Sequence, residues 1–570
     1  MKEDVEGLTR REFTKGAAAA MLAAMLGPNW LKILEKARAQ SMTIPEAWDA
    51  EHDVIVVGCG CAGAAAAIGA SEAGADTVVL EAAPVPGGTS AMSGGMFNFG
   101  GGTALQRDLG VDETREEFYR YLVAQAECER VVPALFGLRE LQRVHADHAV
   151  ETYDWLENTL ELPFPRLLAT PRNIGFAGLF FLGNEYYPPI LRKVGKAVPH
   201  AHAQLTMGAG LMETMIAYAK DKNASIMVNT RANHLIAEPT TGEIIGVRAI
   251  RRGREINIKA RRGVVLAAGG HGHNKELVKD MPLNSIEDAS FRPAANRGDG
   301  HLMALEVGAD FFACDGGQFL IPYGIGIPLF ALAVLPPWWN IFYIDRNGKR
   351  FCNEQWHIGC IENYFYRTGK WNDKTKRWDR LPAGWLLFDN ASRLGLMGLP
   401  GMPVEMALLG ALTGKIESEF EVPGYGKRFR CKAVSGRTIE SLCAATKETD
   451  AEGIGIDPKG LRETINQWNK LLPDDPVWGR DYGLVKFGAP PYYAAPVWPT
   501  SFNEATGITI NANGQALDTT GKPIPKLYCA GRNSGGQYGQ MYTCGTAVGT
   551  GIIIGKIAGR NAAKESRWVE

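Results

Sequence analysis

Residues 539–554 read GQMYTCGTAVGTGIII and set a phenol (Tyr542), a thiol (Cys544) and a glycine (Gly545) together ahead of an expected helix. A second chemistry-bearing stretch lies near the other end, HDVIVVGCGCAGAAAAIGASEAGADTVVLEAA, residues 52–83. Its apolar strand VIVVG runs into Gly58, Gly60 and Gly63 in G-x-G-x-x-G spacing, with Cys61 and Ala62 opening an alanine-rich helix. A second strand, TVVLE, ends in Glu81, 18 residues after Gly63. The first glycine permits a tight turn, the second lets backbone approach a pyrophosphate, and the third lets helix pack on strand. The helix N-terminus then faces the phosphates and Glu81 accepts from ribose hydroxyls. Strand, helix, second strand and terminal acid in register predict a dinucleotide site.

The chain that must position these two stretches has 570 residues, too many for one simple core, and two or three domains are expected. It is 45% hydrophobic and 22% charged, as soluble globular proteins are. Lys plus Arg (61) nearly equals Asp plus Glu (62), so no bulk charge steers it to nucleic acid. Ten cysteines occur without a CxxC, which argues against a c-type haem, a zinc ribbon or a ferredoxin-like cluster, and no metal site is expected. Most of them read as buried thiols, with a disulfide as the alternative that spacing does not assign.

The N-terminal LTRREFTKGAAAAMLAAML (8–26) sets Arg10-Arg11 before a short apolar run, with Thr9, Phe13 and Lys15 on its flanks. It resembles a twin-arginine (Tat) export signal, with residues 1–39 as signal and Ala37-Arg38-Ala39 as a small-x-small cleavage site. Export by the Tat translocase to the periplasm is the expectation. The apolar stretch 324–342 holds three prolines and cannot be a clean spanning helix.

Just after Glu81 come Gly87, Gly88, Thr89 and Ser90, then Ser93, Gly94 and Gly95, a second glycine- and hydroxyl-rich loop. RRGVVLAAGGHGHN (261–274) carries an apolar strand into Ala268 and Gly269, and IPKLYCAGRNSGGQYGQ (524–540) does so into Gly531 and Arg532. With RGDG (297–300) and GKRFCNE (348–354), these strings resemble the fumarate reductase, succinate dehydrogenase and ketosteroid dehydrogenase superfamily of flavoproteins. The resemblance runs from about residue 52 to the end and implies non-covalent FAD. It implies an α/β fold: a discontinuous Rossmann-like FAD-binding domain (48–305 and 495–570) with an inserted α+β substrate-capping domain (306–494), the active site lying at their interface. Thr546 and Ala547 join the cofactor-binding set, and Gly545 serves both cofactor and substrate. The stretch 232–250 reads as strand-turn-strand with Thr-Gly at the turn.

The superfamily's shared chemistry makes or saturates a C=C bond beside a carbonyl, with hydride passing to or from the flavin. Its dicarboxylate branch clamps carboxylates with basic side chains, but GQMYTCGT and TSFNEATG carry none at the corresponding places. The branch that acts on the 4,5 bond of 3-oxosteroids is more similar: SGGMFNFGGGTALQRDLG (93–110) resembles its loop, and residues 541–546 resemble its Gly-Tyr-x-Ser-Gly-Thr. That resemblance makes Tyr542 the reacting phenol, Cys544 the replacement of an assisting serine, and the Gly545 N–H a donor to the substrate carbonyl. His357 falls about where relatives have a second catalytic tyrosine. Tyr343, Tyr538 and His202 read as scaffold, whereas Phe319, Phe330, Trp338, Trp339, Phe342 and Trp356 suit either a core or a wide hydrophobic slot. A 3-ketosteroid dehydrogenase (Δ4 or Δ1 type) working with a quinone or redox protein is the leading expectation. The alternatives are an exported ene-reductase taking a non-dicarboxylate enone or enoate, and an electron-transfer flavoprotein without small-molecule turnover.

Overall fold

The computed structural model describes residues 37–126, 139–166, 200–203, 205–272, 274, 296–312, 318–322, 341–351, 354, 370–372, 377–379, 384–391, 418–421, 428–431, 433–450, 452–480, 484–501, 506–537 and 545–568. They fall in two compact units, one built from residues up to 312 together with 506–568, the other from residues between 318 and 501.

The first unit runs β1 (Ala50–Val57), α1 (Cys61–Glu72), β2 (Thr77–Leu80), β3 (Met96–Asn98), α2 (Ala104–Asp108), α3 (Arg115–Ala126) and α4 (Arg139–Asn158). It continues through β4 (Ala201–Ala203), α5 (Met207–Asp221), β5 (Ser225–Met227), β6 (Thr230–Ala237), β7 (Ile244–Arg251), β8 (Arg254–Leu266) and α6 (Asp299–Glu306). After the second unit come β9 (Gln515–Leu517), β10 (Pro523–Cys529) and α7 (Thr546–Lys564). One eight-stranded sheet is ordered β9–β10–β8–β1–β2–β5, with β7 on β8 and β6 on β7. From β10 to β5 the neighbours are parallel, and Val57 pairs with Leu80 on one side and Leu266 on the other. Parallel strands need both faces covered, which explains the unbroken apolar run Val54–Val57, all buried. The strand-turn-strand reading of 232–250 matches the β6–β7 pair, with Gly242 at φ +73° in its turn.

The C-terminal helix is tied to this sheet through α1. A Cβ at Gly555 would overlap the Ala62 carbonyl, one at Gly559 the Ala66 carbonyl, and one at Gly69 the Lys556 carbonyl. Alanine and glycine on both helices therefore let the two backbones touch, and Cys61 through Ala70 are all buried.

In the second unit, strands 318–322, 492–501, 384–389 and 341–345 pair antiparallel in that order, and 434–436 also pairs with 492–501. Phe342 is fully buried and packs against Trp468 and Phe487, with ring centroids 5.2 and 4.9 Å away, so it is a core residue of this unit. Tyr343 is likewise buried and stacks on Phe351. Within GKRFCNE, Arg350 and Glu354 lie one helical turn apart in sequence and bond through both Nε (2.8 Å) and Nη2 (2.5 Å). Asp475 and Arg480 complete a buried group of two guanidiniums and two carboxylates, in which no charge is left alone. Phe330, Trp338, Trp339 and Trp356 lie outside the described residues, as does the side chain of Phe319. No described helix is long and apolar enough to cross a membrane.

The α1–α7 contact makes a test of sign possible. Gly559→Ala gains about 1 kcal/mol of intrinsic helix propensity, but overpacking against backbone costs about 1–3 kcal/mol and often more. Net destabilisation is expected, read as a lower denaturant midpoint at unchanged slope. A higher midpoint would show that the helices are not in backbone contact.

Candidate active site and cofactor cradle

Four loops leave the C-terminal ends of parallel strands β1, β2, β8 and β10, the edge where open α/β sheets bind ligands. After β1, Gly58 adopts φ +95°, and its Cβ would lie 2.5 Å from the Ala267 carbonyl oxygen. A Cβ at Gly63 would overlap the Gly58 carbonyl. These two glycines serve the turn and the helix–strand contact. Gly60 differs: its backbone is extended and a Cβ there would meet only Ser90 Oγ, at 3.4 Å. Gly88 faces it, its own Cβ position 3.8 Å from the Gly60 Cα. A Cβ at either glycine would stand in nearly open space, which allows the close backbone approach that a pyrophosphate cradle requires.

The polar groups around that room are already oriented. Glu81 is buried at the end of β2, and its carboxylate accepts from Cys59 N and Ala83 N, both at 2.8 Å. Each oxygen keeps a second lone pair for a ribose hydroxyl. Ser90 Oγ accepts from Cys61 N (3.0 Å), while Ala62 and Gly63, in the first turn of α1, have N–H groups without intrahelical acceptors. The two thiols are packing groups. Burial, aided by the Glu81 charge, pushes Cys59 up to about 12, and burial also raises Cys61 despite the bond to Ser90.

The second loop is held by itself and by its neighbours. Gly87, at φ +127°, starts the single helical turn Gly88–Ala91, and its N–H donates to Cys59 O (2.9 Å). Ser93 Oγ donates to Ser90 O (2.7 Å) and accepts from Gly95 N (3.2 Å), with Gly94 between them. Thr89 Oγ1 accepts from Asn296 Nδ2 (3.2 Å), and a Cβ on Gly269, whose φ is +80°, would overlap that same amide. Ala268 N donates to Asn533 Oδ1 (2.9 Å). Gly531 approaches Ala62, and the carbonyl of Arg532 accepts from His301 Nε2 (3.1 Å). Asn296 and Asn533 tie the loops together and were not evident from sequence, because neither belongs to a glycine motif. Asn533 is fully buried, and its Nδ2 has no hydrogen-bond partner.

Gly545 begins the 19-residue α7 at φ +87°. A Cβ there would overlap the Phe97 carbonyl carbon and lie 2.6 Å from Asn98 N, so only glycine fits. Gly545 supplies no side-chain cap, and the first-turn N–H groups of Thr546, Ala547 and Val548 have no intrahelical acceptor. The side chain of Asn98 donates to Thr546 Oγ1 at 2.9 Å. The sheet and α1 thus bring Gly545 into the unit that holds Gly58, Gly60 and Glu81. Tyr542, Cys544, Tyr538 and His357 lie outside the described residues, as do Arg10 and Arg11.

Beneath β3 and β4 lies a buried polar network. His200 Nε2 meets Glu113 Oε1 at 2.6 Å, and the other Glu113 oxygen accepts from Gly101 N and Gln106 Nε2 (both 2.9 Å). Burial would raise the Glu113 carboxyl, but the His200 charge and these bonds hold it below its ordinary value. His202 Nδ1 donates to His200 O (2.9 Å) while its Nε2 accepts from Thr103 (2.7 Å), which makes His202 scaffold. His145 Nε2 donates to Asn98 O (2.8 Å). Burial lowers both His145 and His202 to about 4, overcoming the carbonyls they bond. Both are neutral at pH 7.

These loops define a dinucleotide-binding flavoprotein site. The FAD binding domain family model matches residues 53–548, and the chain belongs to that family. It is similar to the urocanate reductase of Eggerthella lenta, 26% identical over 95% of this chain and 78% of that protein. The digoxin reductase of the same organism is also 26% identical, over 99% of this chain and 98% of its own length. Among solved structures, the 3-ketosteroid-Δ4-(5α)-dehydrogenase of Rhodococcus jostii RHA1 superposes with a TM-score of 0.69 at 25% identity, covering 92% of this chain and 99% of that one. The protein is an FAD-dependent oxidoreductase of the fumarate reductase family, and its relatives include ketosteroid dehydrogenases and ene-reductases.

Two outcomes are expected. Gly60→Val should leave the far-UV spectrum of the protein intact but abolish FAD retention, measured as flavin per chain; full retention would show that the cradle lies elsewhere. The second concerns pH. Unfolded histidine titrates near 6.5, so between about 4 and 6.5 the unfolded chain binds more protons at His145 and His202 than the folded one does. Stability from these groups is present above pH 6.5 and is lost as pH falls toward 4, on the order of 3 kcal/mol each. His202→Gln should reduce that slope by about 1.4 kcal/mol per pH unit. An unchanged slope in unfolding titrations would refute burial of a neutral ring.

Proposed function

We propose that this protein removes or adds hydrogen across the carbon–carbon bond α,β to the ketone of a hydrophobic, steroid-like substrate, most simply a 3-oxosteroid. The observation that carries the reading is the stretch 541–546, Met-Tyr-Thr-Cys-Gly-Thr, set at the head of α7 by Gly545. That stretch carries no cation to clamp a carboxylate. Instead a phenol stands three residues before a helix N-terminus, whose dipole favours negative charge. The near full-length likeness to a 3-ketosteroid-Δ4-(5α)-dehydrogenase supports the same substrate class.

The residues present fit FAD. Gly60, Gly88 and Ser90 would hold the pyrophosphate, and Glu81 the ribose. When bound, FAD supplies the acceptor or donor of hydride. The chain does the rest. The Gly545 N–H donates to the substrate carbonyl oxygen and stabilises enolate character as the neighbouring carbon loses its proton. Tyr542, assisted by Cys544 or by His357, takes that proton in dehydrogenation and returns it in reduction. A quinone or an external redox protein completes the cycle.

A second reading is favoured by the digoxin and urocanate reductases, which run in the reducing direction. In it the protein is an ene-reductase fed by a donor outside the cytoplasm. The twin arginines at 10–11 support export through the Tat translocase to the periplasm. Two residues beyond Ala39, the buried Ser41 hydroxyl donates to Glu306 (3.0 Å), so cleavage at the small-x-small site leaves that anchor in place.

The protein, reduced under anoxia, is to be mixed with an androst-4-en-3-one-type ketone, a cinnamate-type acid and fumarate. Flavin reoxidation by the ketone is expected, and Tyr542→Phe should slow it by about 10²–10⁴-fold with FAD retained. Reoxidation by fumarate alone would overturn the proposal, and failure with all three would favour an electron-transfer role.

A further inference from the structure

We propose that Asn98 of β3 is a positioning residue: it fixes the head of α7, and with it the Gly545 N–H, for the oxyanion of the proposed reaction; this rests on the ketone reading above. The sequence makes Asn98 an exception. It stands between Phe97 and Phe99 in a strand whose residues are all buried, and asparagine is poorly suited to strands. Phe97 and Phe99 stack on one face with centroids 5.3 Å apart, and the alternation of a strand sends the carboxamide to the other. A buried carboxamide is costly unless it is hydrogen-bonded, so the position calls for a partner.

That partner is α7. Asn98 Nδ2 donates to Thr546 Oγ1 at 2.9 Å, and each residue is only 1% exposed. Thr546 is the first residue of the helix, and Gly545 before it lies directly on the strand. A Cβ on Gly545 would be 2.4 Å from the Phe97 carbonyl carbon and 2.6 Å from Asn98 N. Backbone contact sets how closely the helix approaches β3. The directional bond to Thr546 sets how its first turn is rotated there.

Asn98 is itself held before it touches α7. It pairs antiparallel with Ala201 of β4, and its carbonyl accepts from His145 Nε2 on α4 (2.8 Å). Phe99, the next residue, meets the rings of His145 and His202 edge-on, with centroids 6.2 and 6.0 Å away. The carboxamide is therefore a fixed reference for the helix. Its neutrality matters as well. An amide donor holds the Thr546 hydroxyl without adding charge at the end of α7 whose dipole favours an anion. An aspartate there could accept from the same hydroxyl, but its charge would occupy the field that the enolate needs. That difference separates a positioning role from packing.

The test uses the FAD-loaded full chain. Asn98→Leu, similar in shape but without polar atoms, should lower kcat for the ketone about 10–100-fold with KM changed less than about threefold, because misplacing a reacting contact by an ångström costs rates of this size. Hydrogen exchange measured by mass spectrometry should show faster deuterium uptake at the α7 amides 549–552, while the β8 peptide 254–266 stays unchanged. Asn98→Asp should keep those α7 amides protected and still lower kcat by at least about tenfold. It should weaken, by a similar factor, the binding of a steroid with a phenolic A ring, whose phenolate imitates the enolate. Unchanged uptake at 549–552 in Asn98→Leu would overturn the hold on α7 whatever the substrate proves to be. Asn98→Asp with kcat and phenol affinity within about threefold of the unsubstituted protein would overturn the role at the oxyanion. Absence of both ketone turnover and phenol binding in the unsubstituted protein would sink the ketone reading and the oxyanion role with it, while faster exchange in Asn98→Leu would still uphold the hold on α7.

Discussion

The closeness of α1 to α7 is the contact on which the site depends. Helices normally pack with axes 8–10 Å apart because side chains intervene. Here Gly555 and Gly559 leave no room for even a methyl group against the carbonyls of Ala62 and Ala66. This brings the middle of α7 down onto the helix that opens at Gly60, so the first and last glycine-rich segments of the chain share one unit. A larger residue at any of these positions would push apart two helix N-termini that are proposed to act on the same bound molecule. Both termini present first-turn N–H groups without intrahelical acceptors, and their combined field favours anionic groups: in the proposed reaction, phosphate at α1 and enolate character at α7.

Loop rigidity also comes from small side chains. The loops after β1, β2, β8 and β10 are held mainly by backbone groups and a few short polar side chains: Ser90, Ser93, Asn296 and Asn533. Each fills hydrogen-bonding capacity that a buried loop would otherwise leave open. Glu81 does this twice over, satisfying Cys59 N and Ala83 N, so its carboxylate is oriented in advance of the ribose it is proposed to bind. Preorganisation of this kind reduces the ordering cost of binding.

Motifs in which a residue's role follows from its immediate neighbours were readable in the sequence. The β1–α1–β2 unit, the place of Glu81 at the end of β2 and the β6–β7 pair came from periodicity and glycine spacing, and the double glycines after β2 and β8 fall in loops at the same sheet edge. Asn296, Asn533, Glu113, Gln142 and His145 were not readable, because each acts on a partner distant in sequence: Asn533 on Ala268, His145 on Asn98, Gln142 on Gln537. Their residue types carry no spacing signal. Phe342 shows the opposite limit. A bulky aromatic suits a ligand slot or a core equally well, and only its contacts with Trp468 and Phe487 decide for the core.

The histidines illustrate why burial has to be read together with tautomer. His145 and His202 are both driven to the neutral form, but they use it differently. His202 donates from Nδ1 and accepts at Nε2, closing a bridge between β4 and the Thr103 cap of α2. His145 donates from Nε2 to the carbonyl of Asn98, on the strand that touches Gly545. A proton added to His202 would remove the acceptor that Thr103 uses, whereas one added to His145 would leave its bond to Asn98 intact. Acidification therefore strikes the scaffold beneath β3 through His202, while the hydrogen bond at the head of α7 survives it. The protein's polar core is built so that the ring nearest the proposed chemistry is the one whose hydrogen bond does not depend on its charge.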